Sequence, residues 1–251
     1  MTVYFVGAGP GDPELITIKG ARLLKEADLI IYAGSLVNPE ILCYANPGAK
    51  IVDSKDLDLP RLMRLMQEAV AKGQKVVRLH TGDPSLYGAI QEQIRQLEAA
   101  GIATQIVPGV SSYAAAAAAV GRELTVPEVT QTVIITRLGG RTPVPEKESL
   151  SKLAMHQASM CIFLSVGMID KVVAELLKAY PTTTPAAVVE KASWPQERVI
   201  RGTLATLAEQ VKAAGITKTA MILLGDFLGN TESVSRLYAP EFSHGYRKGK
   251  K

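Results

Sequence analysis

Residues 3–13 read VYFVGAGPGDP, and this stretch decides the class of fold. The short apolar run Val3–Val6 stops abruptly at Gly7, as a strand buried in a parallel sheet does. After a loop rich in glycine and proline, residues 17–27 place apolar side chains at the spacing of one helix face. The order strand, loop, helix predicts the first unit of an α/β fold.

The same alternation continues outward from this stretch. Further strands are predicted at 28–32, 51–52, 75–79 and 104–107, and helices at 60–71, 85–99 and 111–120. The pattern breaks near residues 121–128, and apolar runs then recur at 132–136, 160–164, 186–189 and 220–224, with helices at 168–179 and 204–214. We therefore predict two α/β domains, at 1–121 and 122–230, followed by a frayed basic tail at 231–251.

Composition restricts the partners of the protein. The chain of 251 residues has 47% hydrophobic and 21% charged residues, a composition that argues against disorder, and a net charge of +4. Four basic residues in the last eight account for that charge, and without them 24 basic residues balance 24 acidic ones. Only 5% of the residues are aromatic, so base-stacking surfaces are disfavoured. No nucleic-acid partner is expected.

The location of the protein is predicted from three absences in the sequence. Cys43 and Cys161 form neither a disulfide framework nor a metal-ligand spacing, and both are expected to be buried thiols. The amino terminus has no basic segment ahead of an apolar one, as a signal peptide would. No apolar stretch reaches the roughly 18 residues of a membrane span. We expect a cytoplasmic protein with no membrane partner.

The loop Gly7–Pro13 is similar to a dinucleotide-binding loop, because it follows a strand and precedes a helix. The match is incomplete. Asp12 stands where the pattern has its third glycine, and Pro10 and Pro13 lack the N–H group that a phosphate needs. Tyr32-Ala33-Gly34 follows the second strand, so the acid that would bind a ribose is missing. These departures disfavour a nicotinamide or flavin site and leave a structural turn, or a loop facing another ligand.

Two further loops follow predicted strands, and ligands of open α/β sheets bind where strands end. In His80–Gly88 (HTGDPSLYG), Gly82 allows close approach of a ligand, and Asp83 starts a turn, although simple helix capping also explains an Asp here. His80 fits a structural role as well as a catalytic one. In Pro108–Ser112, a Pro-Gly corner precedes two serines, one of which capping explains.

Five segments carry a resemblance to a known family. VGAGPGDPEL, HTGDPSLYG and VPGVSS closely resemble the tetrapyrrole methyltransferases of the uroporphyrinogen and precorrin class, over about residues 1–230. TVPEVTQTVIITRLGGRTPVPE and VEKASWPQERVIRGTL resemble the members that methylate C-11 of precorrin-4 or cobalt-precorrin-4. The resemblance implies two α/β domains of the tetrapyrrole methylase type, the first with a mainly parallel sheet and the second with a mixed sheet, in a homodimer.

The resemblance also implies the ligands. The methyl donor is S-adenosyl-L-methionine, the product is S-adenosyl-L-homocysteine, and the acceptor is a tetrapyrrole on the route to cobalamin. The positions that match donor-binding positions of the family are Pro10, Thr81, Gly82, Asp83, Leu86, Ser111, Ser112, Ser165, Ala192, Ala220 and Met221. Related uroporphyrinogen methyltransferases carry an acid after the second strand as the proposed proton acceptor. Ala33-Gly34-Ser35 stands there in this sequence, so that role is not carried over.

Methyl transfer from a sulfonium is an in-line displacement, and aligning the reactants can contribute roughly 7–11 kcal/mol. The sequence has neither a nucleophile triad nor a metal motif, so no metal is expected. His80 is a candidate proton acceptor because an unperturbed histidine titrates near about pH 6.5, with water or the substrate nitrogens as alternatives. Arg122, Arg137 and Arg141 are candidates for binding the substrate carboxylates, and solvated surface arginines are the alternative.

Other functions remain open from the sequence alone. The same scaffold could methylate another macrocycle position, diphthamide or ribosomal RNA, although the neutral body argues against RNA. A nicotinamide-dependent oxidoreductase and a non-catalytic sensor of a nucleotide or tetrapyrrole are the remaining alternatives. The motifs do not decide whether cobalt is already in the substrate ring.

Overall fold

The protein is described by a computed structural model, which covers residues 2–230 and 232–249. Its contacts divide the chain into two compact units. The first contains residues up to 116 together with 191–198, and the second contains 117–190 and the residues from 199 onward. The division therefore falls five residues before the predicted boundary, inside a helix, and the assignment of 191–198 to the first unit was not anticipated.

The first unit is built on a parallel sheet of five strands in the order β3-β2-β4-β1-β5. The strands are β1 (Thr2–Gly7), β2 (Leu29–Tyr32), β3 (Lys50–Asp53), β4 (Val76–His80) and β5 (Ala103–Val107). The helices are α1 (Ile18–Glu26), α2 (Leu59–Ala71), α3 (Gln91–Ala99) and α4 (Ser112–Ala119). The predicted mainly parallel sheet is confirmed.

Apolar side chains cover both faces of this sheet, as expected for parallel strands. Val3 and Phe5 of β1 pack with α2 and α3 on one face, and Val6 packs with α1 on the other. Side-chain caps set two helix starts: Thr17 accepts the N–H of Gly20, and Asp58 accepts that of Arg61. The parallel strands all end at one edge of the sheet, and the loops that follow them meet there.

The second unit has a mixed five-stranded sheet in the order β6-β7-β10-β8-β9. The strands are β6 (Val133–Arg137), β7 (Ser159–Phe163), β8 (Pro185–Glu190), β9 (Arg198–Thr203) and β10 (Ala220–Leu224). The helices are α5 (Leu150–Ala154), α6 (Ile169–Leu176) and α7 (Leu207–Ala213). β6 is parallel to β7, whereas β10 is antiparallel to both of its neighbours. The predicted mixed sheet is confirmed.

Several details differ from the sequence-based prediction. The helix predicted at 85–99 begins only at Gln91, because residues 84–88 form a turn so tight that a Cβ on Gly88 would lie 2.2 Å from the carbonyl oxygen of Pro84. β9 and α5 were not predicted, since their short runs mix polar and apolar residues. Cys161 is buried as predicted, but the prediction for Cys43 is wrong: this thiol is exposed, in a 3-10 helix where only Ile41 is buried.

The carboxyl-terminal segment has local structure where it is described. A 3-10 helix spans Arg236–Tyr238, and the Arg247 guanidinium donates to the carbonyl oxygens of Leu237 and Ala239 at 2.8 and 2.7 Å. The predicted fraying concerned 231–251, of which residues 231, 250 and 251 lie outside the described residues. Within the described ranges, no helix combines the length and apolarity needed to cross a bilayer.

Candidate active site

Three glycine corners meet at the edge of the parallel sheet where its strands end. They are Gly7 at the end of β1, Gly82 after β4 and Gly109 after β5. A Cβ on Gly7 would lie 2.6 Å from the Gly82 carbonyl oxygen and 2.7 Å from the Cα of Gly109. A Cβ on Gly109 would lie 2.3 Å from the same oxygen. Only glycine permits this approach, so three of the loops singled out in the sequence form one structure.

Backbone hydrogen bonds join the first two of these loops. Gly9 and Gly82 form an antiparallel bridge, in which the Gly82 N–H donates to Gly9 at 2.8 Å and the Gly9 N–H donates to Gly82 at 3.3 Å. The Ala8 N–H donates to the His80 carbonyl oxygen at 2.7 Å. The N–H groups that a dinucleotide loop would turn toward a phosphate are therefore occupied, which argues against the oxidoreductase alternative.

Asp83 ties the second loop to the third. One carboxylate oxygen accepts the Gly109 N–H at 2.9 Å, and the other accepts the N–H of Ser85 at 2.8 Å together with the Ser85 hydroxyl. Partial burial opposes ionisation of Asp83, but the three hydrogen bonds outweigh it and lower the pKa of the carboxyl. Thr81 and Leu86 are also predicted to contact the donor, and they lie on either side of Asp83 in the same loop. The Leu86 N–H donates to the Asp83 carbonyl oxygen at 3.2 Å.

The start of α4 lies against Gly82. The position that a Cβ on Gly82 would take is 3.5 Å from the Cα of Ser111 and 3.5 Å from the nitrogen of Ser112. The Ser111 carbonyl oxygen accepts the N–H groups of Ala114 and Ala115 at 3.0 and 3.3 Å, while its hydroxyl forms no hydrogen bond with any described residue. The first N–H groups of a helix have no intrahelical acceptor. This end of α4 can therefore donate hydrogen bonds to a ligand.

Residues from far along the chain complete this side of the first unit; of these, sequence reasoning singled out Ala192 but missed Ser193 and Trp194. Residues 191–198 connect β8 to β9, and they hold the turn Pro10–Asp12. The Trp194 indole N–H donates to the Pro10 carbonyl oxygen at 2.9 Å, and the Asp12 N–H donates to the Ser193 hydroxyl at 3.0 Å. Ala192, a predicted donor contact, is buried within this segment. No sequence signal pairs Trp194 with Pro10, because the two residues lie 184 positions apart.

The residues that follow the second strand include no acid, but the carboxylate of Asp53 from the neighbouring strand β3 lies beside them. Asp53 ends β3 opposite Tyr32, and its carboxylate accepts the N–H of Gly34 and that of Lys55, each at 3.0 Å. The hydrogen bond from Lys55 is the largest influence, and it lowers the pKa of Asp53. The pairing of β2 with β3, which local sequence does not encode, is what brings this acid to Gly34.

His80 ends β4 with 6% of its surface exposed, beside Phe5 at a ring-centroid distance of 5.9 Å. Burial is the main cause that lowers its pKa to about 3, and the positive charge of the nearby Arg78 adds to it. The enclosed Nε2 has no partner among the described residues. A neutral, enclosed imidazole is a weak base, and these properties oppose the predicted role as proton acceptor.

The depressed pKa of His80 predicts how stability depends on pH. Unfolded histidine binds a proton near pH 6.5, whereas folded His80 does not until about pH 3. Acid therefore favours unfolding between these values, by up to about 1.4 kcal/mol per pH unit. We expect the free energy of unfolding, measured with urea from pH 6.5 to 4, to fall less steeply for His80→Gln than for the wild type. His156→Gln, at an exposed histidine, should keep the wild-type slope. Equal slopes for all three proteins would contradict the assignment.

The remaining predicted donor contacts lie in the second unit. Ser165 follows β7 with none of its surface exposed; its hydroxyl accepts the Leu138 N–H at 2.8 Å and donates to the Phe163 carbonyl oxygen at 2.6 Å. This hydroxyl therefore holds two strand ends of its own sheet. Ala220 and Met221 begin β10, where Met221 is buried.

The three predicted substrate arginines also lie in the second unit and differ in environment. Arg137 donates to the carbonyl oxygens of Thr142 and Pro143, at 3.2 and 2.8 Å, and so holds the loop after β6. The buried Nε of Arg122 has no partner among the described residues. Arg141 is exposed and forms no ion pair or hydrogen bond with a described side chain. In residues 2–230 and 232–249, no three His, Cys, Asp or Glu side chains cluster as metal ligands would.

A parallel sheet whose strand-end edge is built from glycine corners, followed by a mixed sheet, defines the class of protein as a two-unit α/β fold. The profile of the Tetrapyrrole (Corrin/Porphyrin) Methylases matches residues 2–208. The chain belongs to this family.

Individual relatives agree with this assignment. The chain is 57% identical to the cobalt-precorrin-4 C(11)-methyltransferase of Methanocaldococcus jannaschii, over 99% of this chain and 97% of the relative. It is 49% identical to the precorrin-4 C(11)-methyltransferase of Pseudomonas aeruginosa, over 99% of this chain and the whole of the relative.

Solved structures show the same similarity. The X-ray structure of a cobalt precorrin-4 methyltransferase has a TM-score of 0.89 at 46% identity, and the match covers 91% of this chain and 96% of the other. The uroporphyrin-III C-methyltransferase of Thermus thermophilus, complexed with S-adenosylhomocysteine, has a TM-score of 0.76 at 30% identity, and the match covers 95% of each chain.

Proposed function

We propose that this protein methylates C-11 of precorrin-4 or cobalt-precorrin-4 with S-adenosyl-L-methionine, as a cytoplasmic homodimer on the route to cobalamin. The observation that carries the proposal is the 57% identity to a cobalt-precorrin-4 C(11)-methyltransferase over 99% of the chain. An alignment of this extent spans the loops at the sheet edge as well as the core.

The residues of the first unit fit the proposed donor. S-adenosyl-L-methionine presents a carboxylate, an ammonium group, ribose hydroxyls and an adenine ring. The Ser111 hydroxyl and the first N–H groups of α4 are donors without described partners, and they suit a carboxylate or a hydroxyl. The glycine corners remove side chains from the surface, so a ligand can approach the backbone itself. We propose Pro10, Thr81, Gly82, Asp83, Leu86, Ser111, Ser112 and Ala192 as the donor-binding residues of this unit, and Ser165, Ala220 and Met221 as those of the second.

In this reaction the main task of the protein is to align the methyl group of the donor with the attacking carbon of the tetrapyrrole. The donor supplies a methyl group already activated on a sulfonium, so no nucleophile triad is needed. The hydrogen bonds between Gly9 and Gly82 and between Asp83 and Gly109 hold the three loops in one arrangement. A preorganised site loses less entropy on binding and keeps the reacting atoms in line. The carbon nucleophile must also release a proton. Because His80 is buried, we do not propose it as the acceptor of that proton.

The test is single-turnover methyl transfer. The purified protein is incubated with S-adenosylmethionine labelled in its methyl group and, in separate reactions, with precorrin-4, cobalt-precorrin-4, precorrin-3 and uroporphyrinogen III. The expected result is one added methyl group at C-11 of one of the two precorrin-4 rings, identified by mass spectrometry and NMR. Methylation of uroporphyrinogen III alone, or of no ring, would overturn the proposal. The comparison of the two precorrin-4 rings decides whether cobalt is required.

Arg141 is proposed to bind a substrate carboxylate, because its exposed guanidinium is free to pair bidentately. Arg141→Ala should raise the KM for the tetrapyrrole about tenfold, and the affinity for S-adenosylhomocysteine should stay at the wild-type value. Arg61→Ala, at an exposed arginine of α2, is the matched control and should change neither constant. Equal weakening of both ligands by Arg141→Ala would indicate a folding defect instead of a substrate contact.

A further inference from the structure

The turn Pro10–Asp12 is held by side chains that are far away in sequence. Besides the bonds from Trp194 and to Ser193, the Asn38 side-chain amide donates to the Gly11 carbonyl oxygen at 2.8 Å. The three bonds span 184, 181 and 27 residues of sequence. Each of the three residues of this turn therefore has one backbone polar group bound to a side chain, although the turn belongs to no strand.

The Trp194 ring also packs directly on the turn. A Cβ on Gly11 would lie 1.9 Å from Cδ1 of the indole, so the ring occupies the space that any side chain at this position would need. The φ of Gly11 lies outside the left-handed region, so a glycine is needed here for packing and not for backbone conformation. Pro10 and Gly11 are both buried. The turn and the ring are thus complementary in shape and in hydrogen bonding.

The segment that presents Trp194 is itself strained. Lys191 and Ser193 have left-handed φ angles of 49° and 66°. The Ser193 N–H donates to the Glu197 carboxylate at 2.7 Å, and the Lys191 ammonium lies 5.7 Å from the Trp194 ring centroid. Strained backbone persists only where its surroundings over-determine it, and it concentrates at functional sites. A simple connection between two strands needs none of these restraints.

The held turn is continuous with the glycine corners. Pro10 directly follows Gly9, whose N–H and carbonyl oxygen both bond to Gly82. We propose that Trp194 is a positioning residue, which fixes the Pro10–Asp12 turn and thereby sets the affinity of the site for the methyl donor. This inference rests on the proposed function. It concerns only the binding of the methyl donor, and it holds whichever tetrapyrrole is the substrate.

The experiment measures S-adenosylhomocysteine binding by calorimetry in the absence of a tetrapyrrole. The melting temperature, the KM for S-adenosylmethionine and the KM for the tetrapyrrole are measured as well. Trp194→Phe keeps a ring over Gly11 but loses the indole N–H, and it should weaken binding about 3- to 10-fold. Trp194→Ala loses both contacts and should weaken binding about 30-fold or more. In both variants the KM for S-adenosylmethionine should rise in parallel, with kcat and the KM for the tetrapyrrole within about twofold of wild type. Tyr238→Phe, at an exposed ring, is the control and should bind as the wild type does.

A double-mutant cycle tests the contact between the ring and the turn. Gly11→Ala should also weaken binding about tenfold, because its Cβ displaces the ring, but it should add less than about twofold in the Trp194→Ala background. A lower melting temperature of Trp194→Ala with unchanged affinity would overturn the inference and leave Trp194 a purely structural residue. Fully additive losses in the cycle would also overturn it. Wild-type protein that binds S-adenosylhomocysteine but methylates no ring would overturn the proposed function alone, since the binding series does not depend on turnover.

Discussion

Gly109→Ala is expected to abolish measurable S-adenosylhomocysteine binding and to lower the free energy of unfolding by about 2–3 kcal/mol. The added Cβ would lie 2.3 Å from the Gly82 carbonyl oxygen and 2.8 Å from the Cα of Gly7. Both neighbours are backbone atoms in loops that are bonded to each other, so neither can move without breaking the Gly9–Gly82 bridge. Calorimetry with S-adenosylhomocysteine and urea unfolding monitored by circular dichroism measure the two effects.

Two control substitutions isolate the close approach from other effects of glycine replacement. Gly48→Ala places its Cβ 3.6 Å from the nearest atom, at a residue without left-handed backbone, and it should change neither binding nor stability. Gly101→Ala meets no atom within 4 Å but has a φ of +72°, so it should cost about 1 kcal/mol of stability and leave binding intact. If Gly109→Ala behaves like Gly101→Ala, the contact of the three corners does not matter for the site.

The first sheet could be predicted from sequence because its signals are local. The strand Val3–Val6 and the helix after it contain their own periodicity, and the glycine that ends the strand marks its boundary. Parallel strands in such an alternation must end at a common edge, so the placement of loops 7–13, 80–88 and 108–112 at that edge followed from the fold class, whereas their contact depends on the strand order β4-β1-β5. What the sequence could not supply was the distance at which they meet.

The contacts across the chain were beyond sequence reasoning for a physical reason. The bond between Trp194 and Pro10 links residues 184 positions apart, and no local propensity encodes such a pair. The same holds for Asp53, which reaches Gly34 only because β2 and β3 are neighbours. His80 illustrates the converse case: its residue type suggests a base, whereas burial, which a single sequence does not reveal, lowers its pKa to about 3.

Asp83→Asn is expected to weaken S-adenosylhomocysteine binding by about 10- to 100-fold, the size of effect expected for a lost charge-assisted hydrogen bond. The Asp83 carboxylate accepts N–H groups on both oxygens, from Gly109 and from Ser85. Asparagine has a single acceptor oxygen, so one of these N–H groups must face an amide NH₂ instead. The loops after β4 and β5 then lose their tie. Titration calorimetry gives the affinity, and the KM for S-adenosylmethionine should rise by the same factor.

Asp58→Asn is the matched control for this substitution. Asp58 caps α2 through one oxygen, which accepts the Arg61 N–H at 2.9 Å, and asparagine caps helices equally well. Stability and affinity should therefore stay near the wild-type values. A pH series adds a second criterion, because the pKa of Asp83 is lower in the folded protein than in the unfolded chain. Such a carboxyl stabilises the fold at any pH above its unfolded pKa of about 4. That contribution is lost as the pH falls through the folded pKa. The stability difference between the wild type and Asp83→Asn should be constant above pH 5 and shrink in stronger acid. A difference that persists undiminished into that range would show that the ionised carboxylate is not what joins the two loops.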